Sequence, residues 1–166
     1  MFPMDDSTNF LEPVRIVLEK KLDATIIRGD TTKEEHRKEI MAQLCELTEQ
    51  DVFVFMGHGA SYCLYGSPQG GELQPLFGRD ALSLPNRSRS LLISCRSNDF
   101  TESQQWVNAI GFGEIPATWE EMCKLREEDC SCYAGVDEDT IPEYQNSLVQ
   151  ALCGALRLWN PSSPLR

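Results

Sequence analysis

Two short apolar runs constrain the chain most: VFVFM at 52–56 and LLIS at 91–94. The first is β-branched and aromatic, bounded by polar and glycine breakers, the pattern of a strand buried on both faces of a parallel sheet, and the second is a shorter apolar run of the same kind. Parallel strands need a long crossover between them, and the rest of the sequence supplies helices as well as strands. Residues 9–22 (NFLEPVRIVLEKKL) put Phe10, Val14, Val17 and Leu18 on one helical face, with Thr8 or Asn9 as cap and Pro13 early enough to be tolerated. ATIIR at 24–28 reads as a strand. Thr31 or Thr32 with Glu34 or Glu35 then makes a capping box for a helix to about Gln50, carrying Ile40, Met41, Leu44 and Leu47 at helical spacing. A strand at 130–134 (CSCYA) and a helix at 147–159 with Leu148, Val149, Leu152, Leu156 and Trp159 on one side complete the alternation. The expected fold class is α/β, a mostly parallel sheet with helices on both faces.

The chain has 166 residues, enough for one α/β core, and we expect a single domain. Fifteen basic against twenty-six acidic side chains give a net charge of −11, which argues against phosphate-mediated nucleic-acid binding. No apolar run approaches the roughly 20 residues that cross a bilayer, and the chain does not open on a secretory leader. A soluble, cytoplasmic protein without membrane contact is expected. The seven cysteines are irregularly spaced, which fits reduced thiols better than a disulfide framework. Cys123, Cys130 and Cys132 lack paired knuckles and a following histidine, so no metal site and no cofactor are expected. There is no internal repeat. Apolar periodicity lapses at 66–71 and over 97–120, the second stretch being long enough to be functional or partly disordered.

The candidate chemistry lies where the two strands end. The first runs into Gly57-His58-Gly59 and the second into Cys95-Arg96. Ligands and substrates of open α/β sheets bind at the carboxyl ends of strands. If the two are parallel neighbours, His58 and Cys95 leave the same edge side by side. A thiol needs an imidazole or other positive influence to ionise near neutral pH, and the imidazole can later protonate a leaving amine. The amides of Gly59 and Cys95 are the candidate donors to an oxyanion. His36, in the charged half of a helix, is given no role.

VFVFMGHG and LLISCRS, in this order and spacing, resemble the caspase-like cysteine peptidases, in which one apolar strand ends in His-Gly and a second ends in the nucleophilic cysteine. The likeness covers about 9–159. TIIRGDTTKEEHRKEIMAQLCELTEQDVFVFMGHG is similar to that family's strand, turn, helix and strand, and CYAGVDEDTIPEYQNSLVQALCGALRLW to its small-subunit strand, substrate loop and helix. The resemblance implies a caspase-like three-layer sandwich, shortened at both ends. A large-subunit-like part would span about 9–96, an intersubunit-type linker 97–129 and a small-subunit-like part 130–159. It also implies a cysteine endopeptidase of cell-death or immune-type signalling, with His58, Cys95 and Gly59 as catalytic residues and proteins or peptides as substrates.

The departures from the family bear on specificity. Caspases hold an acidic P1 side chain with two arginines and a glutamine. Here the strand bearing the first arginine is missing, Ile93 stands at the glutamine position, and the loop reads Asp137-Glu138-Asp139. Acidic groups beside a pocket disfavour aspartate and favour a basic side chain. Substrate-binding positions are therefore expected at Ile93, Asp137, Glu138 and Asp139. Both edge strands of the family's sheet are unrecognisable, and exposed edges invite pairing, so a homodimer or a caspase or adaptor partner is expected. The alternative function is a catalytically inactive caspase-like regulator that binds such a partner.

Overall fold

The computed structural model describes residues 5–27, 31–69, 72–78, 88–128 and 135–160. The chain divides into two compact units, one built on Thr25–Ile115 and including Asp5, the other on Asp6–Ala24 with Pro116–Trp159. The fold is mixed α/β, with a three-stranded parallel sheet at the centre of the first unit.

In that unit the helix α1 belongs elsewhere, and the first element is α2 (Glu34–Cys45), which follows α1 (Glu12–Leu22) in the chain. Strands β1 (Val52–Met56), β5 (Arg89–Ile93) and β6 (Ala109–Gly111) form the parallel sheet in the order β1-β5-β6. Both apolar runs are thus strands, and they are parallel neighbours with Val52 opposite Arg89 and Met56 opposite Ile93. Between them lie β2 (Gly59–Ala60), β3 (Cys63–Gln69) and β4 (Glu72–Phe77), an antiparallel sheet in the order β2-β3-β4. Alternate β1 side chains, Phe53 and Phe55, enter a cluster with Ile40 and Leu44 of α2, Leu64, Leu76, Phe77, Leu92, Phe100 and Trp106. Phe77 stands edge-on to Phe53 at 6.0 Å and to Phe55 at 6.2 Å, so its ring, with Leu64 and Leu76, packs the antiparallel sheet against the parallel one. Met56 and Ile93, on the opposite face of the parallel sheet, are also buried, as expected of strands covered on both sides.

The structure corrects several local expectations. Ala24–Ile27 is not a strand: β-branched content favours a strand only where a neighbour pairs with it, and Ile27 is instead packed on the core as irregular chain. Helix α2 stops at Cys45 rather than near Gln50. No side-chain capping bond opens it, and Thr48 and Asp51 close a turn beyond it, the Asp51 carboxylate accepting from the Thr48 amide and hydroxyl, both at 2.7 Å. The segment 97–129, expected as a linker without periodicity, holds α3 (Ser97–Ser103), β6 and α4 (Trp119–Glu128). Its elements are too short for a periodic signal, but Phe100 and Trp106 are core residues with rings 5.4 Å apart. The strand expected at 130–134 lies outside the described residues.

The second unit contains α1, preceded by a 3₁₀ turn at Asn9–Leu11, together with α4 and α5 (Ile141–Leu158). Leu11, Val14 and Leu18 of the first helical stretch are buried, as are Val149, Leu152 and Leu156 of α5, close to the apolar faces expected from the sequence. Helix α5 begins six residues before Ser147, with Pro142 in its first turn and a 3₁₀ turn at Glu138–Thr140, capped by Asp137, leading into it. Among the described residues no helix is long and apolar enough to cross a membrane.

Candidate functional site

The register of β1 and β5 decides where the site lies. Met56 and Ile93 are opposite each other, and the Gly57 amide donates to the Ile93 carbonyl at 3.2 Å as the first strand leaves the sheet. His58 and Cys95 each lie two residues past that last pair, so both emerge from the same carboxyl edge. The His58 carbonyl then accepts from the Tyr65 amide at 3.0 Å, which turns the chain into the β2–β3 hairpin. Gly59 closes the gap between the two strand ends. A Cβ built on it would stand 2.7 Å from the Cys95 carbonyl and 2.6 Å from the Ser94 hydroxyl, so this approach is possible only without a side chain. The buried Ser94 hydroxyl has no hydrogen-bond partner.

Beyond Cys95 the chain turns sharply into α3. Arg96 takes a left-handed conformation, φ 51°, uncommon for a residue other than glycine, and its amide donates to the Gly113 carbonyl at 2.8 Å. The buried Ser97 hydroxyl bonds the carbonyls of Leu92 at 2.6 Å and Ser94 at 2.8 Å and accepts from the Phe112 amide at 2.8 Å. Gly111 permits the same closeness from β6: a Cβ there would run into the Ser97–Asn98 backbone. The strand, turn and helix that carry Cys95 are therefore locked on one side by β6 and on the other by Gly59. The Arg96 guanidinium, half-exposed, pairs with Glu114 at 3.2 Å and Asp99 at 3.5 Å.

The two candidate reacting groups have specific neighbours. His58 Nε2 lies 2.8 Å from Asp5 Oδ2, and both side chains are mostly buried, 16% and 14% exposed. An ionised carboxylate only accepts, so Nε2–H is the donor in this contact. Cys95 Sγ donates to the Ile115 carbonyl at 2.9 Å and accepts from the Ile115 amide at 3.1 Å. The backbone of Ile115 is thus seated directly on the thiol. Burial pushes the Cys63 thiol up from its ordinary range and does the same to the Tyr65 phenol, whose hydroxyl also donates to Tyr62 at 3.2 Å. Neither is suited to ionise at neutral pH. The cysteines at 45, 63, 95, 123 and 153 are all free thiols.

The remaining expected positions have structural roles. Ile93 is fully buried within β5. Asp137 is a helix cap: its carboxylate accepts from the Thr140 amide at 3.1 Å, while its amide donates to the Thr140 hydroxyl at 2.9 Å. Glu138 and Asp139 are exposed in the turn that follows, where negative charge favours a helix N-terminus. These three acids belong to the second unit, whereas His58, Gly59, Cys95 and Asp5 belong to the first. Sequence reasoning missed Asp5 and Ile115. Asp5 lies 53 positions from His58 and Ile115 20 from Cys95, and no local spacing ties either pair together.

The chain matches no protein-family model, no curated protein and no solved structure.

Proposed function

We propose that the protein is a caspase-like cysteine endopeptidase in which Cys95 is the nucleophile and His58 its base. The observation that carries this reading is the parallel register of β1 and β5, with a histidine and a cysteine at their adjoining carboxyl ends and Gly59 pressed against the Cys95 carbonyl. In the proposed reaction the Cys95 proton passes to His58 and the thiolate attacks the scissile carbonyl. The amides of Gly59 and Cys95 stabilise the oxyanion, and the imidazolium protonates the leaving amine. Water then hydrolyses the thioester.

Substrate preference follows from charge. Ile93 stands at the family's glutamine position, and an unpaired aspartate in a desolvated site costs several kcal/mol. Cleavage after aspartate should be weak, and basic or uncharged P1 residues should be preferred. A peptide library diversified at P1, beside a Cys95→Ala control, tests the reading. Cys95-dependent cleavage after a basic or uncharged residue supports it, and no cleavage of any peptide by the folded protein refutes it.

One observation favours a second reading. The Ile115 backbone contacts the thiol through both its carbonyl and its amide, at 2.9 and 3.1 Å, on the same sulfur that an attacked carbonyl would have to meet. A non-catalytic regulator that keeps the fold and binds a caspase or adaptor needs no path to Sγ. Under that reading Cys95 would alkylate slowly and the library would remain uncut.

A further inference from the structure

We propose that Asp5 is a positioning residue for the His58–Cys95 pair, completing an Asp-His-Cys relay; the inference rests on the peptidase reading above. The 2.8 Å contact between Asp5 Oδ2 and His58 Nε2 joins two largely buried side chains, so the bond is little exposed to competition from water. It has two chemical consequences. Accepting from Nε2–H fixes the tautomer in which Nδ1 is the base. The carboxylate also stabilises the imidazolium that appears when the ring takes the thiol proton: the S–H bond breaks, its electron pair stays on sulfur, and Nδ1–H forms. Asp5 acts through the ring it contacts.

The other ionisable groups on the elements meeting at this edge do not substitute for it. Tyr62 and Tyr65, on the β2–β3 hairpin, bond to each other. Arg96, on the Cys95 turn, is paired with Asp99 and Glu114. Buried Cys63 has its thiol pushed up by desolvation. Asp5 is the carboxylate in direct contact with the ring.

The test is the rate of alkylation of each cysteine by iodoacetamide, mapped by mass spectrometry, in the full chain and in Asp5→Ala, Asp5→Asn and His58→Ala. The thiolate displaces iodide, so the rate reports the fraction ionised. Exposed Cys45 serves as an internal ruler, and buried Cys63 reports loss of the fold. At neutral pH, Asp5→Ala and His58→Ala should each slow Cys95 on the order of tenfold, the effect of a neighbouring charge on ionisation. Asp5→Asn keeps an acceptor without the charge and should fall between Asp5→Ala and the parent. Above the pH of about 8.5 at which a free thiol ionises unaided, the four proteins should converge. A defect that persists there marks a merely structural contact and overturns the proposal. So does parental labelling of Asp5→Ala at neutral pH; if His58→Ala is nonetheless slow, the pair stands without Asp5. If His58→Ala also labels like the parent, the pair itself falls. Should Asp5→Ala expose Cys63, the near-isosteric Asp5→Asn decides, an unchanged Cys95 rate at neutral pH being the refuting result.

Discussion

Gly59→Ala is the sharpest perturbation of the junction between the two strand ends. The new methyl would stand 2.6 Å from Ser94 Oγ, 3.0 Å from Ser94 Cβ and 2.7 Å from the Cys95 carbonyl, where ordinary contact begins at 3.4 Å. The hydroxyl can rotate away, but the carbonyl belongs to the locked turn before α3, so the strand ends must separate by roughly 0.7 Å. Overpacking of this kind costs about 1–3 kcal/mol, and each kcal/mol lowers the midpoint of thermal unfolding by roughly 2–4 °C in a chain of this size. Ser94→Ala alone should be neutral or stabilise by about 1 kcal/mol, since it removes a buried hydroxyl that has no partner. In that background Gly59→Ala should cost less, because one of the contacts has gone while the carbonyl remains. Denaturant unfolding of the four proteins gives the coupling, expected at about 1 kcal/mol. Strict additivity, or parental stability of Gly59→Ala, would show that the His-Gly turn does not bear on the Cys95 edge.

Phe77→Ala should destabilise by about 3–5 kcal/mol, read by urea titration, because its fully buried ring is the edge-on partner of both Phe53 and Phe55. Thr48 holds the Asp51 carboxyl below its ordinary value through its hydroxyl and amide, so the folded chain gains stability above the unfolded value near 3.9 and loses it as pH falls through the lower folded one. Thr48→Val should flatten that acid limb of the stability profile, modestly because the carboxylate is exposed; an unchanged limb would assign it to other groups. Limited proteolysis should spare 97–111, whose Phe100 and Trp106 are buried and whose β6 pairs with β5, and first cuts there, seen by mass spectrometry, would contradict this packing.

The two strands and their parallel pairing were legible because buried strands of a parallel sheet carry their burial in composition: VFVFM and LLI are apolar at every position. The same pairing brought His58, Gly59 and Cys95 into view together. The β2–β4 sheet was not legible. Gly66, Pro68 and Pro75 lie in its strands, residues that ordinarily mark turns, and its register shifts after Leu64 and again after Tyr65. Nor was β6, three residues of which only Ile110 is large and apolar, and whose place beside β5 is set by the Ser97 and Arg96 contacts with 112–113 rather than by its own pattern. Asp137 shows the converse: an acidic loop invites a reading as a binding surface, while Asp-x-x-Thr before a proline and an amphipathic run is also a helix start.

The sheet alone brings a histidine and a cysteine to one edge, and each meets a neighbour from elsewhere in the chain. The Asp5 carboxylate lies against Nε2 of His58, and the Ile115 backbone meets the Cys95 thiol through both its carbonyl and its amide. Under the peptidase reading, the first contact favours a reactive pair and the second opposes one. Displacing Ile115 would give up two bonds to a neutral thiol, weak ones by the standard of amide pairs, and a thiolate would no longer donate to the carbonyl at 2.9 Å but would repel it. Under the peptidase reading, loss of the thiol proton would turn the Ile115 carbonyl contact from attractive to repulsive while strengthening the bond from the Ile115 amide, so the two halves of this contact would respond in opposite directions.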